Sequence, residues 1–463
     1  MRYISTRGQA PILSFEDAML SGLARDGGLY LPETIPTLDH GEIAALAGRP
    51  YEEVAFAVMR PFIGDSFDDA ELSAIIARAY RKFDHAARAP LVQLGANHFL
   101  CELFHGPTLA FKDFAMQLIG QLFQAALARR GERVTIVGAT SGDTGSAAIE
   151  AFRGLDNVDV FIMFPDGRVS DVQRRQMTTP VEDNVHALAI EGDFDTCQAL
   201  LKDMFNDFAF RDEVRLAGVN SINWARVLAQ VVYYFTAATA LGAPMRPVRF
   251  TVPTGNFGDI FAGFIARKMG LPIERLIIAT NQNDILHRTL ETGAYTKGEV
   301  VPSISPSMDI QVSSNFERAL YYAYNGDTAA VAAQMAELAE GGFTIGQGAI
   351  NWLREHFASG RASEEETMAT IKTTYLSSGE VVCPHSAVGI KVAREFLDQS
   401  SAPMITLATA HPAKFPEAVE KATGIHPALP ERLAHQFEAK ERVTRLPGDL
   451  AAVETLIRER LSK

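Results

Sequence analysis

Residues 134–152 read VTIVGATSGDTGSAAIEAF, and the order of strand, glycine turn and helix in this stretch decides the fold class. Residues 134–137 form an apolar, largely β-branched run suited to a short buried strand. GATSGDTG follows at 138–145, and small residues then continue as a helix to Phe152. The pattern returns where RFTV at 249–252 leads into Pro253-Thr254-Gly255-Asn256-Phe257-Gly258-Asp259. Outward from these two units, 158–164, 185–190, 276–280 and 404–408 read as strands. Residues 170–177 and 193–205 read as helices, the second with Asp193 or Asp195 placed to cap it. Strands alternating with helices predict parallel sheets in an α/β protein.

Upstream of Pro90 the chain is different in character. Helix formers at 42–47, 51–59 and 68–83 are broken by Gly48, Pro50, Pro61 and Gly64, which predicts a mostly helical N-terminal part. Residues 114–127 are apolar at helical spacing and end in Arg129-Arg130-Gly131, a C-terminal cap. Residues 359–366 read as an exposed polar loop. No repeat period and no low-complexity tract occurs.

Composition narrows the function. The 463 residues are 47% hydrophobic and 21% charged, which is globular and not disordered. Lys and Arg number 43 against 56 Asp and Glu, a net charge of −13. Such a surface repels a phosphate backbone, so nucleic-acid binding is excluded as the main activity, and an anionic ligand needs a local positive site. Cys101, Cys197 and Cys383 are odd in number and far apart, which predicts a reducing, cytoplasmic setting without a disulfide framework. The N-terminus reaches Glu16-Asp17 with no sustained apolar stretch, so no secretory signal is read there. The uncharged run at 227–245 contains Gln230, Tyr233, Tyr234, Thr236 and Thr239, and reads as a core helix of a large domain and not a membrane span.

Each glycine turn opens a helix whose first N–H groups lack partners and carry partial positive charge, so each can cradle an anion. Neither turn is followed by the Lys of a nucleotide-binding loop, and neither is a clean G-x-G-x-x-G. A single such turn is more often a plain connection; two in one α/β chain point to a ligand with two anionic groups. HGPTLAFKD at 105–113 is a turn running into a helix, with Lys112 flanked by Phe111 and Phe114. A lysine crowded by aromatics near a helix start loses its proton more easily, as imine formation requires. The same pattern also fits a surface lysine in a first helical turn, and the residues alone leave both readings open. His98, Cys101, Glu102 and His105 have metal-like spacing, but no second cluster completes a zinc set. His411, beside Pro412, reads as a packed or capping histidine.

Taken together, FHGPTLAFKDFAMQ, GATSGDTGSAA, VPTGNFGDIFAG, SPSMDIQVSSNFER and LATAHPAKFPEAVE resemble the threonine synthases of the longer bacterial and fungal type, along nearly the whole chain. Ser5-Thr6-Arg7-Gly8 and ARDGGLYLP at 24–32 resemble their N-terminal block. The resemblance implies a fold-type-II pyridoxal 5'-phosphate enzyme of the tryptophan synthase β-like group. Two parallel-sheet α/β domains would then flank a cofactor cleft, beside a mostly helical N-terminal extension. The borders it implies are 1–90 for the extension, 91–113 with 221–430 for the large domain, 114–220 for the small domain, and 431–463 for a C-terminal helical segment.

The family pattern places the cofactor imine on Lys112 and the cofactor phosphate on Gly255, Asn256, Phe257, Gly258 and Asp259. It places Thr409 at the pyridine nitrogen. Asp143 stands where many relatives have an Asn that reaches the cofactor's phenolic oxygen, and Gly106 where other branches often have Asn. Ser141, Gly142 and Thr144 are candidates for the substrate carboxylate, and Asn315 and Arg318 for the substrate phosphate. The implied reaction is the last step of threonine biosynthesis, a carbon–oxygen lyase converting O-phospho-L-homoserine and water into L-threonine and phosphate. The partners implied are that small molecule alone, with no nucleic acid or membrane, in a monomer or homodimer. The rivals are a serine or threonine dehydratase or cysteine synthase of the same fold, and a non-catalytic sensor of a phosphorylated metabolite.

Overall fold

Parallel strands need partners on both edges and cover on both faces, so their sequences are apolar throughout instead of alternating. Val158–Pro165 and Val248–Pro253 are buried along their whole length and apolar apart from Asp159, Arg249 and Thr251. Each lies in a separate sheet of the structure, a computed structural model that describes residues 1–461.

The larger sheet runs, edge to edge, through Phe357–Arg361, Ile273–Thr280, Val248–Pro253, Met404–Ala408, His98–Glu102 and Leu91–Gly95. All its neighbours are parallel except the last two, which form an antiparallel pair. The smaller sheet is wholly parallel: Thr444–Leu446, Val185–Ile190, Val158–Pro165, Val134–Ala139 and Leu216–Ala217. The expected strand–turn–helix units are therefore present, in an α/β protein of two parallel sheets.

Helix Trp224–Ala240 contains most of the uncharged run and packs on Gly258–Lys268, Lys112–Arg130 and Tyr51–Ile63. Among the described residues no helix is long and apolar enough to cross a membrane. All three cysteines are free and buried.

Three expectations need correction. Residues 359–366 are not a loop. Phe357–Arg361 is an edge strand beside Ile273–Thr280, and Ser363 caps the helix Glu364–Ser378 through a reciprocal pair with Glu366. An edge strand pairs on one side only, so its composition is polar enough to resemble a loop. The C-terminal segment is not helical alone. Thr444–Leu446 extends the smaller sheet, and Val453 and Ile457 of helix Leu450–Arg460 pack with Cys197, Leu200 and Met204. Pro61 does not end its helix, which runs two residues past it to Ile63.

The N-terminal part has the expected helices, His40–Ala45, Tyr51–Ile63 and Asp69–Tyr80, and beyond them a helix Phe15–Ser21 and a two-stranded pair of Tyr3–Ser5 with Tyr30–Pro32. Its Ser5-Thr6-Arg7 motif is a clamp. The Thr6 hydroxyl donates to Glu317 at 2.6 Å, and Arg7 donates to both Glu317 oxygens at 3.0 and 2.9 Å.

Candidate active site

In an open parallel sheet, the connections leaving the strands' carboxyl ends form the ligand crevice. Strands Val134–Ala139, Val248–Pro253 and Met404–Ala408 end in this way at Asp143–Thr144, Thr254–Asp259 and Thr409. These residues, with Lys112, line one cleft enclosing about 700 Å³ of empty space, part of it open to solvent.

Lys112 is the first residue of helix Lys112–Arg130, and the loop before it is tightly held. Buried Asp113 turns back to accept from the Thr108 backbone N–H at 2.8 Å and the Thr108 hydroxyl at 2.6 Å. A Cβ at Gly106 would stand 2.5 Å from the Asp113 side chain, so with Asp113 in this position the turn has no room for one. Leu109 takes a left-handed φ of 64°, a strained conformation of the kind that gathers at functional sites. The Phe111 N–H donates to the Thr409 carbonyl at 2.8 Å, and the His411 N–H donates to the Leu109 carbonyl at 3.0 Å. The lysine loop is thus tied to the strand end that carries Thr409.

Lys112 Nζ donates to Asp143 Oδ2 at 3.2 Å and stands 4.9 Å from the Phe111 ring centroid. Burial lowers the lysine from its usual range, Asp143 opposes that, and the positive charges of Lys414 and Arg226 add to the lowering. A lysine lowered in this way exchanges its proton readily. For Asp143, burial acts upward, but the charges of Lys414 and Lys112 and the hydrogen bonds outweigh it and hold the carboxyl well below its usual range. Its remaining partners are Gln173 Nε2 at 2.9 Å and the Ser307 hydroxyl at 3.4 Å.

The glycine turn at 255–258 opens helix Gly258–Lys268, and among the described residues no side chain caps that helix. Its first N–H groups are therefore left for a ligand. Phe257, not a glycine, takes the left-handed φ of 63°. The glycines serve close approach instead. A Cβ on Gly255 would stand 2.8 Å from the Ser307 carbonyl oxygen, and one on Gly258 would stand 3.3 Å from Asn315 Nδ2. The Asp259 carboxyl accepts from Tyr233 at 2.6 Å and Tyr234 at 3.1 Å. Burial pushes it up to about 7. What Asp259 offers an anion is its backbone N–H.

Thr409 is buried at the cleft wall, and among the described residues its hydroxyl makes no hydrogen bond. That hydroxyl, not taken up by nearby backbone, is available to a ligand in the cleft. His385 also lines the cleft. Its Nε2 accepts from the Ser307 N–H at 3.2 Å, and burial pushes it down to about 3, so it is a neutral ring with Nδ1–H unpartnered.

The other expected residues divide. Thr144 lines the cleft, whereas Ser141 and Gly142 form the turn behind it. Gly142 has a φ of 138°, and the Thr140 hydroxyl accepts from the Gly142 and Gly145 N–H groups at 2.9 Å each. Asn315 and Arg318 do not reach the cleft, which corrects their assignment to the substrate phosphate. Asn315 Nδ2 braces the glycine turn by donating to the Asn256 and Ser221 carbonyls at 3.0 Å each. Arg318 is fully buried and donates to the Tyr30 carbonyl at 2.7 Å and the Ile222 carbonyl at 2.6 Å. Its fork is engaged by backbone, so no phosphate can claim it.

The sequence reading missed four residues. Arg226 and Gln230 lie one turn apart on helix Trp224–Ala240, line the cleft, and have the buried atoms Nε and Oε1 unpartnered. A charged residue opening a long apolar helix was the signal for Arg226. Lys414 and His385 gave none beyond Lys414's place in the segment LATAHPAKFPEAVE.

Comparison with known proteins matches three consecutive regions to family models. Residues 2–80 match "Threonine synthase N terminus", residues 83–351 "Pyridoxal-phosphate dependent enzyme", and residues 386–457 "Threonine synthase, C-terminal". The chain is 57% identical to threonine synthase of Pseudomonas aeruginosa, across 99% of this chain and 98% of that one. It superposes on the crystal structure of pyridoxal-phosphate-bound threonine synthase from Brucella melitensis with a TM-score of 0.96, at 58% identity and 99% coverage of both chains. Threonine synthase from Escherichia coli superposes at 0.84 with 32% identity, covering 100% of both chains.

Proposed function

The chain belongs to the threonine synthase family of pyridoxal-phosphate-dependent lyases, and from that premise we propose that its cleft converts O-phospho-L-homoserine and water into L-threonine and phosphate, with Lys112 as the acting amine. One observation carries the reading. Lys112 is the one lysine lining the cleft among the described residues, it is buried, and an uncapped helix N-terminus opens into the same space.

The residues fit the cofactor. A buried amine is present to hold its aldehyde carbon. A glycine cradle that a Cβ would fill lies at the helix start to take its phosphate, and a free hydroxyl at Thr409 suits its ring nitrogen. Arg226, buried with Nε unpartnered, supplies the local positive charge that a chain of net charge −13 needs to hold phosphate. Bound there, the cofactor supplies an electron sink for negative charge developing on the substrate carbons.

The chain's own groups do the rest. Lys112 takes and returns protons at the substrate's Cα and Cβ, a task suited to an amine whose pKa burial has lowered. Asp143 aims it through the 3.2 Å hydrogen bond. The Thr409 hydroxyl is uncharged, so it orients the ring nitrogen without forcing a full positive charge on it. Of the three candidates for the substrate carboxylate, Thr144 is the one on the cleft wall, in the first turn of helix Asp143–Phe152, while Ser141 and Gly142 shape the turn behind it. His385 remains neutral and closes the wall beside Ser307.

The test is release of inorganic phosphate from O-phospho-L-homoserine, with threonine identified as the co-product. Phosphate and threonine in equal amounts are expected. A 2-oxo acid and ammonia from serine or threonine, with no phosphate released, would assign the dehydratase activity instead.

A further inference from the structure

Asp143 stands between two lysines, and only one of them belongs to the cleft lining. Lys112 Nζ lies 3.2 Å from Oδ2; on the other oxygen, Lys414 Nζ lies 2.7 Å from Oδ1. Lys414 is fully buried, and its second acceptor is the Thr108 carbonyl at 2.8 Å. It follows directly on the strand end that carries Thr409, in the short turn Pro412–Lys414. We propose that Lys414 is a positioning residue that balances the charge of Asp143 from behind, so that Asp143 aims Lys112 without fixing it as an ammonium. The proposal rests on the reading of Lys112 as the acting amine.

Counting charges gives the reason. A buried group of ions is least costly when its net charge is zero. With Asp143 and Lys112 alone, that state has Lys112 as an ammonium. With Lys414 included, it has Lys112 as a free amine. The two lysines are held differently: Lys414 has two oxygen acceptors, whereas Lys112 has Asp143 and the face of Phe111 and is the less firmly held of the pair. The other groups near Lys112 do not reverse this. Arg226 adds a positive charge that works in the same direction, Asp259 is engaged by two tyrosine hydroxyls, and His385 is neutral. On the far side of Lys414, the buried Asp113 carboxyl also faces the Lys414 charge; burial pushes it up to about 6, and Thr108 holds it by two hydrogen bonds.

The test uses the full-length protein stripped of cofactor. Labelling of Lys112 by an amine-specific reagent is followed by peptide mass spectrometry across pH, for the parent, Lys414→Met and Lys414→Arg. In Lys414→Met the labelling midpoint is expected to move up by about one to two pH units, so labelling below both midpoints is about 10- to 100-fold slower. The acid limb of the kcat profile of the loaded enzyme moves the same way, and Lys414→Arg restores both. A Lys414→Met protein that folds and labels with the parent's midpoint would overturn the proposal, and so would an arginine variant that behaves like the methionine one. Should Lys414→Met not fold, the double variant Lys414→Met/Asp143→Asn decides. A midpoint within about half a pH unit of the parent supports charge balance; a fall of more than about one unit shows Asp143 was unbalanced in the parent. Phosphate release by the parent reports separately on the reading beneath.

Discussion

Gly255→Ala tests the phosphate cradle most directly. The added Cβ would lie 2.8 Å from the Ser307 carbonyl oxygen and 3.5 Å from the Met308 Cα. Both are backbone atoms, so no side-chain rotation relieves the contact, and the turn must shift by about half an ångström. That shift lengthens or misdirects one or two of the N–H bonds the turn offers to phosphate. Hydrogen bonds to a charged group are worth about 1.5–3 kcal/mol each, so the loss is about 2–4 kcal/mol, or about 30- to 700-fold in the dissociation constant for pyridoxal phosphate. Overpacking lowers fold stability as well, by about 1–3 kcal/mol. Titrating cofactor-free protein with pyridoxal phosphate and, separately, with pyridoxal distinguishes the two effects. The phosphate-bearing ligand is expected to lose most of this affinity and pyridoxal little. An equal loss for both, or unchanged affinity for both, refutes the cradle.

Lys112→Ala is expected to abolish covalent attachment of the cofactor and lower kcat by at least about a thousandfold while the circular dichroism spectrum is kept; threonine formation at the parent rate would remove Lys112 from the chemistry. Thr409→Asp places a carboxylate at a hydroxyl that has no partner of its own, which should stabilise a protonated ring nitrogen, red-shift absorbance after substrate is added and increase side products, while Thr409→Ser stays close to the parent. Identical spectra and products for parent and both variants would refute that placement. Asp259 gives a stability test. Its carboxyl is raised from 3.8 to about 7 in the fold, so the folded chain binds the extra proton between those values and stability falls as pH rises through them. Asp259→Asn should flatten that fall, which amounts to at most about 4 kcal/mol, in denaturant titrations at pH 4 and 8; parallel curves would show that the carboxyl ionises freely.

Much of this site was legible because its parts are local. Strand, turn and helix within residues 134–152 and 248–268 follow from apolar runs and glycines a few positions apart, and a helix start defines its anion-binding N–H groups without help from afar. Asp193 and Gly131 took the capping roles expected of them. The reading failed where a residue's role depends on a distant neighbour. Arg318 looked like a phosphate fork until Tyr30 and Ile222 were found to hold it.

The sequence by itself determined the α/β class, the two glycine turns and, through its motifs, the family whose pattern singles out Lys112. Short-range hydrogen bonding and side-chain periodicity act over a few residues and leave their pattern in the chain. Only the tertiary structure decided that Thr444–Leu446 completes the smaller sheet, that Arg226 lines the cleft with its Nε unpartnered, and that Lys414 shares Asp143 with Lys112. Those facts bring together groups up to roughly 300 positions apart, and the energies that set their charge states fall off with distance in space, not along the chain.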